Sequence, residues 1–221
     1  MTMQSDLAPQ PVTSAQAAAR CPHLIFHNVL GAERVAALLD YVAERQADFW
    51  ASPVRNRKSG ERFVNKDLRD CVSYRDLGAF EAPMRTFAEA VTPRALDAFN
   101  LVEPQVELQE FTMMSYGDGG YFRTHIDTDE RVNRVRLLSF VYYFATTPRR
   151  FEGGQLRLHG FPVIFPGKAA DAAPFVDVQP DTDSLVVFPS WLRHEVLPVR
   201  VASGAWMDGR FTIGCWLHRK Q

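Results

Sequence analysis

The chain has 221 residues, 46% of them hydrophobic, which is enough to bury one large core. Its 25 basic and 26 acidic residues nearly cancel, so no strong overall field favours nucleic acid or an anionic membrane as a partner. The apolar runs are far shorter than the roughly 20 residues that a membrane helix needs. Three cysteines, Cys21, Cys71 and Cys215, form no pairing motif and favour buried thiols in a reducing cytoplasm.

The first hundred residues predict a helical region that supports a later domain. Residues 1–20 lack the pattern of a secretory signal and predict a flexible tail, followed by a helical support region over 21–104. Apolar residues recur at helical spacing over 31–48 and again over 77–99. The polar stretch 52–70 between these helices has no clear period, so we expect a long loop there.

After Pro104 the sequence becomes typical of β-structure, with Val, Ile, Phe, Tyr and Thr runs separated by turn residues. Eight strands are predicted, over 105–116, 121–125, 135–144, 154–158, 175–178, 184–188, 194–199 and 210–217. Preceded by helices, eight such strands indicate an α+β, mainly β fold. We expect a double-stranded β-helix, or jelly roll, over 105–221 with the N-terminal helices packed on one sheet. Together, 21–221 would form one structural domain.

Two short motifs in this β region predict a metal site. Side chains alternate along a strand, so His125 and Asp127 face the same side and can share one metal ion. His194 follows an apolar strand and can supply the third ligand. Two histidines and one carboxylate, with three coordination positions left open, are the ligand set of non-haem iron(II) oxygenases. Zinc takes the same ligand types and stays an alternative. Structural or surface roles are expected for the other histidines, His23, His27, His159 and His218.

The arrangement of motifs over about half of the chain resembles the prolyl-4-hydroxylase-like 2-oxoglutarate oxygenases. The matching segments are 116–127 (YGDGGYFRTHID), 138–144 (LSFVYYF), 152–156 (EGGQL), 188–196 (FPSWLRHEV) and 209–216 (GRFTIGCW). The resemblance implies iron(II) as the metal, 2-oxoglutarate and O2 as co-substrates, and ascorbate as a candidate reductant. It implies His125, Asp127 and His194 as the metal ligands.

The resemblance also implies a binding site for 2-oxoglutarate. Arg210 is expected to clamp the carboxylate remote from the metal, because a guanidinium matches a carboxylate with two charge-assisted hydrogen bonds. Thr212 faces the same side of its strand and can add a hydroxyl contact. Tyr116 and Tyr143 look like the pocket tyrosines of the family, although packing in an aromatic core is an alternative for both.

Substrate contacts are predicted less directly. Trp216 resembles a pocket-wall aromatic, with a core tryptophan as the alternative, and Tyr121 and Arg123 are further candidates for the substrate pocket. The loops 52–70 and 128–134 are expected to act as lids, and Gly153-Gly154 is expected to form a turn with positive φ.

Hydroxylation of an unactivated C–H bond, with release of succinate and CO2, is the reaction that the resemblance implies. Asp127 favours hydroxylation over halogenation, because halogenases of the family leave the carboxylate position small. The expected substrate is a residue of a peptide or protein, a free amino acid or a small metabolite, bound by a monomer or homodimer. Two alternatives are open: a nucleic-acid demethylase of the same superfamily, and a non-catalytic metal- or ligand-binding jelly roll.

Overall fold

The structure is a computed structural model that describes residues 20–56, 59–128, 135–161 and 173–220. Within these residues two antiparallel sheets form a double-stranded β-helix, and two helices pack on the larger sheet. The mainly β fold class with N-terminal helices is therefore confirmed. Among the described helices, none has the length and apolar character needed to cross a membrane.

Two α-helices come from the N-terminal third. Helix α1 spans Ala32–Glu44 and buries Val35, Leu38 and Val42. Helix α2 spans Glu81–Ala98 and contains Pro93. Short 3-10 turns lie at Gln46–Asp48, Gly78–Phe80 and Trp206–Asp208. The predicted helices were thus each a few residues too long, because their outer turns are 3-10 or irregular.

The larger sheet has seven strands, and strands β9 (Arg136–Phe144) and β16 (Arg210–Arg219) lie near its centre. Every neighbouring pair in it is antiparallel. In spatial order the strands are β1 (Leu24–His27), β13 (Ser184–Pro189), β9 (Arg136–Phe144), β16 (Arg210–Arg219), β7 (Val106–Tyr116), β6 (Val72–Tyr74) and β2 (Trp50–Ala51).

The smaller sheet has five antiparallel strands. In spatial order they are β12 (Phe175–Val178), β11 (Leu156–His159), β14 (Arg193–Val196), β8 (Tyr121–His125) and β5 (Arg69–Asp70). Two further pairs lie outside both sheets, β3 (Val54–Arg55) with β4 (Arg62–Phe63), and β10 (Glu152–Gly153) with β15 (Val199–Arg200).

Strand alternation divides the core into two layers. In β9, Phe140 and Tyr142 face outward and belong to the cluster that includes Leu38 of α1 and Met84 of α2. Tyr143 faces inward and packs with residues of the smaller sheet such as Leu158. The helices therefore stiffen the outer face of the larger sheet, and the space between the sheets is left for the site.

The N-terminal region departs from the sequence expectation in one respect. Residues 21–104 were expected to be helical, but six short strands, β1 to β6, also come from them. The predicted loop 52–70 contains the β3–β4 hairpin and ends at β5, which pairs with β8 beside the site. Of the second expected lid, 129–134 lie outside the described residues, as do 1–19 of the expected tail.

Candidate metal centre and cofactor pocket

The three predicted ligands meet between the two sheets. His125 ends β8 and pairs in register with His194 on β14, so the two imidazoles come from neighbouring strands. Asp127 lies two residues beyond β8, where its backbone N–H donates to Ser190 O at 2.9 Å. One ligand atom from each residue lies within 4.8 Å of the others. His125 Nε2 is 3.6 Å from Asp127 Oδ1, and His194 Nε2 is 3.5 Å from Asp127 Oδ2. The group can therefore hold one metal ion.

Backbone carbonyls fix the orientation of both imidazoles. His125 Nδ1 lies 2.8 Å from Arg123 O, and His194 Nδ1 lies 2.8 Å from Leu192 O. A carbonyl oxygen only accepts, so each Nδ1 carries the proton and each Nε2 presents its lone pair to the centre. Burial and the nearby His194 lower the pKa of His125 to about 3, so this imidazole is neutral and ready to bind a metal.

Two serines hold the carboxylate of Asp127. Ser139 Oγ donates to Asp127 Oδ2 at 2.7 Å and lies 2.9 Å from Ser190 Oγ. Burial alone would raise the pKa of Asp127, but His194 and His125 outweigh it and lower this pKa to about 2. The carboxylate is therefore charged at neutral pH, as a metal ligand must be.

Aromatic rings pack against both imidazoles. Phe122 stacks on His125 with ring centroids 3.6 Å apart, and Phe188 meets His194 edge-on with centroids 4.7 Å apart. These contacts restrict the rotation of the ligands and keep their surroundings apolar.

Arg210 lies buried in the same space and is only 1% exposed. Its Nε donates to Gly154 O at 2.7 Å, and its Cζ lies 4.9 Å from the ring centroid of Tyr116 and 5.0 Å from that of Tyr143. Its Nη2 has no hydrogen-bond partner among the described residues. A buried guanidinium is costly unless an anion balances it, so this geometry indicates an anion site.

Two further hydroxyls beside Arg210 also have no partner among the described residues, Tyr143 Oη and Thr212 Oγ1. Thr212 and Tyr143 are register partners on β16 and β9, so their hydroxyls share the inner face. Burial raises the pKa of Tyr143 to about 12, and its phenol can therefore donate a hydrogen bond. A buried cation and two orphaned hydroxyls suit the distal carboxylate of 2-oxoglutarate. The residues present fit this co-substrate.

One cavity of about 1030 Å³ contains both the metal-ligand group and the anion site at Arg210. It is lined by the metal-ligand group, Arg210, Thr212 and Tyr116. Burial raises the pKa of Tyr116, which therefore stays protonated. Trp216 also lines the cavity, and its Nε1 has no partner among the described residues.

Arg123 and Tyr121, the two other candidates for the substrate pocket, differ in their position relative to the cavity. Arg123 lines the cavity, is exposed, and donates through Nε to Asp67 O. Tyr121 is absent from the described lining, and its hydroxyl donates to Lys66 O at 2.9 Å. The start of β8 pairs with Asp70, so the Tyr121 ring lies against the preceding loop, and its role in the substrate pocket stays a prediction.

Several residues of the site were not predicted. Ser139 contacts the metal ligand Asp127, and Gly154 contacts Arg210. Both contacts join separate strands or loops, so no local sequence pattern reveals them. Glu110 lies in a bulge of β7, with φ 61°, and pairs with Arg136 at 2.5 Å and His218 at 3.4 Å. Apolar and polar residues alternate from Val106 to Gln109, and Glu110 stands where an apolar residue would continue this alternation; that break was the available signal.

The other expectations concern residues outside the metal group. The three cysteines are buried and free, as predicted. His159 lies 2.9 Å from Glu195, and His218 lies beside Glu110, so both have carboxylate neighbours. Among the described residues, His125, Asp127 and His194 form the one group with metal-ligand spacing. Gly153 and Gly154 have φ of 72° and 66°, as the predicted turn requires.

Comparison with known proteins agrees with this site. Residues 111–218 match the model of the 2OG-Fe(II) oxygenase superfamily. An uncharacterised PKHD-type hydroxylase of Synechocystis sp. is 30% identical over 143 residues, which are 64% of this chain and 46% of that protein. The chain thus spans about half the length of this curated relative.

Solved structures share the fold. A prolyl-4-hydroxylase of Pseudomonas putida has a TM-score of 0.60 at 23% identity, covering 92% of this chain and 95% of that one. A prolyl hydroxylase from Trichoplax adhaerens, solved with a hypoxia-inducible-factor peptide fragment, has a TM-score of 0.59 at 18% identity and covers 91% and 86%. With its fold and the matched motifs, the chain belongs to the 2OG-Fe(II) oxygenase superfamily.

Proposed function

We propose that the protein is an Fe(II)- and 2-oxoglutarate-dependent dioxygenase that hydroxylates an unactivated C–H bond and releases succinate and CO2. The observation that carries the proposal is the buried cation of Arg210, which has no carboxylate partner among the described residues and shares one cavity with the metal-ligand group. A metal centre and an anion site in one cavity suit a co-substrate that chelates a metal at one end and carries a carboxylate at the other.

In this proposal His125, Asp127 and His194 bind Fe(II) and leave three coordination positions open. Bound Fe(II) supplies the activation of O2 and the oxidative decarboxylation of 2-oxoglutarate. Carbonyl contacts to each Nδ1 keep the imidazoles in the tautomer that binds metal. Ser139 keeps the Asp127 carboxylate turned toward the centre.

Arg210, Tyr143 and Thr212 bind and orient the co-substrate. The guanidinium of Arg210 binds the distal carboxylate of 2-oxoglutarate, and the hydroxyls of Tyr143 and Thr212 donate hydrogen bonds to it. Arg210 Nη2 and both hydroxyls then have the hydrogen-bond partners that they lack among the described residues. The apolar rings of Phe122 and Phe188 exclude water from the ligands. Asp127 occupies the position that a halide would need, so the site favours hydroxylation over halogenation.

The substrate in this proposal is prolyl-hydroxylase-like, either a residue in a peptide or protein, or a free amino acid or small metabolite. The peptide bound by the Trichoplax protein supports a peptide, and the cavity has room for a ligand beside 2-oxoglutarate. Trp216 and Arg123 are proposed to contact it. Ascorbate would serve as an accessory reductant.

The proposal also covers domain organisation, cellular location and partners. Residues 21–104 form a support region and 105–221 the catalytic core, with 21–221 as one structural domain. The three free cysteines support a cytoplasmic protein. We propose a monomer or homodimer without a nucleic-acid or membrane partner.

Turnover of 2-oxoglutarate tests this function without knowledge of the substrate. With Fe(II), O2 and ascorbate, the wild-type protein should form succinate slowly, and His194→Ala should form none. Succinate at the level of His194→Ala from a folded wild-type protein that binds both Fe(II) and 2-oxoglutarate would contradict the enzymatic proposal. A non-catalytic binding protein would then be the better description.

A further inference from the structure

The cavity concentrates positive charge in a chain that is nearly neutral. Seven arginines line it, against two carboxylates, Glu110 and Asp127. Glu110 pairs with Arg136, Asp127 belongs to the metal-ligand group, and Arg210 is assigned to 2-oxoglutarate. Among the other lining arginines, those considered for another ligand are Arg69, Arg75, Arg123 and Arg193.

Three of these four arginines, Arg75, Arg123 and Arg193, are exposed, and we call them the rim arginines. Arg75 follows β6, Arg123 lies on β8 and Arg193 lies on β14. The three positive charges therefore come from separate parts of the cavity lining. Such exposed charges attract anions from solution toward the cavity.

Arg69 differs from the rim residues because it is partly buried and held by neutral groups. Its Nε lies 3.0 Å from Cys71 Sγ and its Nη2 lies 2.8 Å from Met114 Sδ, while Nη1 donates to Pro53 O at 3.5 Å. Sulfur is a weak acceptor, so these contacts position the guanidinium without neutralising it. Among the described residues, no carboxylate forms an ion pair with Arg69.

A single ring separates Arg69 from the metal centre. The guanidinium carbon of Arg69 lies 4.7 Å from the ring centroid of Phe122, and Phe122 stacks on His125. An anion held by Arg69 would therefore lie beside the reacting part of the cavity. This places Arg69 in range of a substrate whose C–H bond faces the metal.

The charge of the rest of the chain limits the size of this anion. Because the whole chain has 25 basic and 26 acidic residues, and seven arginines and two acids line the cavity, the remainder has more acidic than basic residues. A long polyanion such as nucleic acid would extend over this acidic remainder and be repelled. A compact carboxylate fits the local charge better.

We propose that the substrate carries a carboxylate of its own, which Arg69 binds beside the metal centre and which the rim arginines attract. This inference rests on the proposed dioxygenase function and names its substrate class. The carboxylate belongs either to a small acid or to an acidic side chain next to the oxidised residue of a peptide. Arg69 is then a specificity-determining residue distinct from Arg210.

Nuclear magnetic resonance of the arginine Nε–H groups tests the inference directly. The protein is saturated with Zn(II) and 2-oxoglutarate, so that the metal centre and Arg210 are occupied and no turnover takes place. The Arg69 signal is identified by its loss in Arg69→Lys. The probes are N-acetylglutamate, an acetylated Glu-Pro-Glu peptide amide and oligothymidylate. The uncharged glutamine counterparts are N-acetylglutamine amide and the acetylated Gln-Pro-Gln peptide amide.

The expected result is a saturable shift of the Arg69 signal with an acidic probe and none with its glutamine counterpart. A response to N-acetylglutamate alone assigns the carboxylate to a small acid, and a response to the peptide alone assigns it to an acidic side chain. In a binding titration Arg69→Gln should weaken the acidic probe about tenfold or more. Arg34→Gln, at an exposed position of α1, should leave its affinity unchanged.

Two outcomes overturn the inference. One is an Arg69 signal that responds to neither acid or equally to acid and glutamine probes. The other is Arg69-dependent binding of oligothymidylate that is tighter than that of both acids, which would identify a nucleic-acid site. Binding of 2-oxoglutarate is measured separately by calorimetry. If 2-oxoglutarate does not bind, the proposed function is contradicted, and the response of the Arg69 signal to the acidic probes can still be interpreted.

Discussion

Arg210 and Gly154 lie so close together that a side chain on Gly154 would collide with the Arg210 side chain. Arg210 Nε donates to Gly154 O at 2.7 Å, and a Cβ on Gly154 would lie 2.7 Å from Arg210 Cδ. Gly154 also has a φ of 66°, which side chains other than glycine rarely adopt. Gly154, the second glycine of the EGGQL segment, therefore positions Arg210, the proposed clamp for 2-oxoglutarate.

Gly154→Ala should lower the affinity for 2-oxoglutarate, because the methyl group pushes the Arg210 side chain from its place. It should also lower the free energy of unfolding by about 1 kcal/mol or more through backbone strain. Calorimetric titration of 2-oxoglutarate measures the first effect, and urea unfolding measures the second.

Gly204→Ala is the matched control, since Gly204 has a φ of 64° and open space where a Cβ would be added. This variant should lose stability in the same way and keep the wild-type affinity for 2-oxoglutarate. Equal affinities for Gly154→Ala and Gly204→Ala would show that Gly154 does not position the clamp.

Arg210→Ala should weaken 2-oxoglutarate binding by about 2 kcal/mol or more, roughly 30-fold, because a charge-assisted pair in a buried site is lost. Metal binding should persist, since Arg210 is not in the metal-ligand group. Arg219→Ala, on the exposed end of the same strand, is the control and should bind 2-oxoglutarate like the wild type. An unchanged affinity in Arg210→Ala would assign the distal carboxylate to another residue.

Ser139→Ala should weaken metal binding about tenfold, because the Asp127 carboxylate loses the hydroxyl that orients it. A competitive titration with a chromophoric chelator gives the affinity. Ser115→Ala removes another buried hydroxyl, one without a partner among the described residues, and should leave the metal affinity intact. If both variants bind metal equally well, the serine contact has no role in holding the ligand.

The Glu110 carboxylate should make stability depend on acid pH. Burial opposes its charge, but the nearby His218 and the hydrogen bond from Arg136 prevail and lower the pKa of Glu110 from 4.5 to about 2. The Glu110 carboxyl therefore binds a proton less tightly in the folded state than in the unfolded state. Its charged form stabilises the folded state above about pH 4.5, and this contribution is lost as pH falls toward 2.

Urea unfolding between pH 6 and pH 3 checks this dependence. Glu110→Gln should be less stable than the wild type at pH 6, with a difference that narrows on acidification. Glu33→Gln, at an exposed position of α1, should follow the wild-type profile. A constant difference between Glu110→Gln and the wild type over this range would contradict the lowered pKa.

Sequence patterns predicted the parts of this protein that depend on local order. The eight strands of the β region could be placed because alternation and turn residues mark them, although the predicted strand 194–199 is divided into β14 and β15 and the short strand β10 was not predicted. His125 and Asp127 could be paired because strand geometry puts them on one face. The strands β1 and β6 could not be predicted, because three or four residues carry too little periodicity to distinguish a strand from a loop.

Long-range contacts account for the rest of what was missed. Arg69 was assigned to a polar loop, and only the pairing of β5 with β8 brings it beside Phe122. Ser139 lies on a central strand where a small polar residue has no local explanation. Its partner Asp127 lies across the fold, so the contact follows from tertiary structure alone.

The most direct test of the central claim is anaerobic reconstitution with Fe(II) and 2-oxoglutarate, observed through the weak visible charge-transfer band of the chelate. The band should appear in the wild type, be absent from His125→Ala, and appear in Arg210→Ala only at far higher concentrations of 2-oxoglutarate. A folded wild-type protein that binds Fe(II) and shows no band at saturating 2-oxoglutarate would contradict the assignment of the co-substrate.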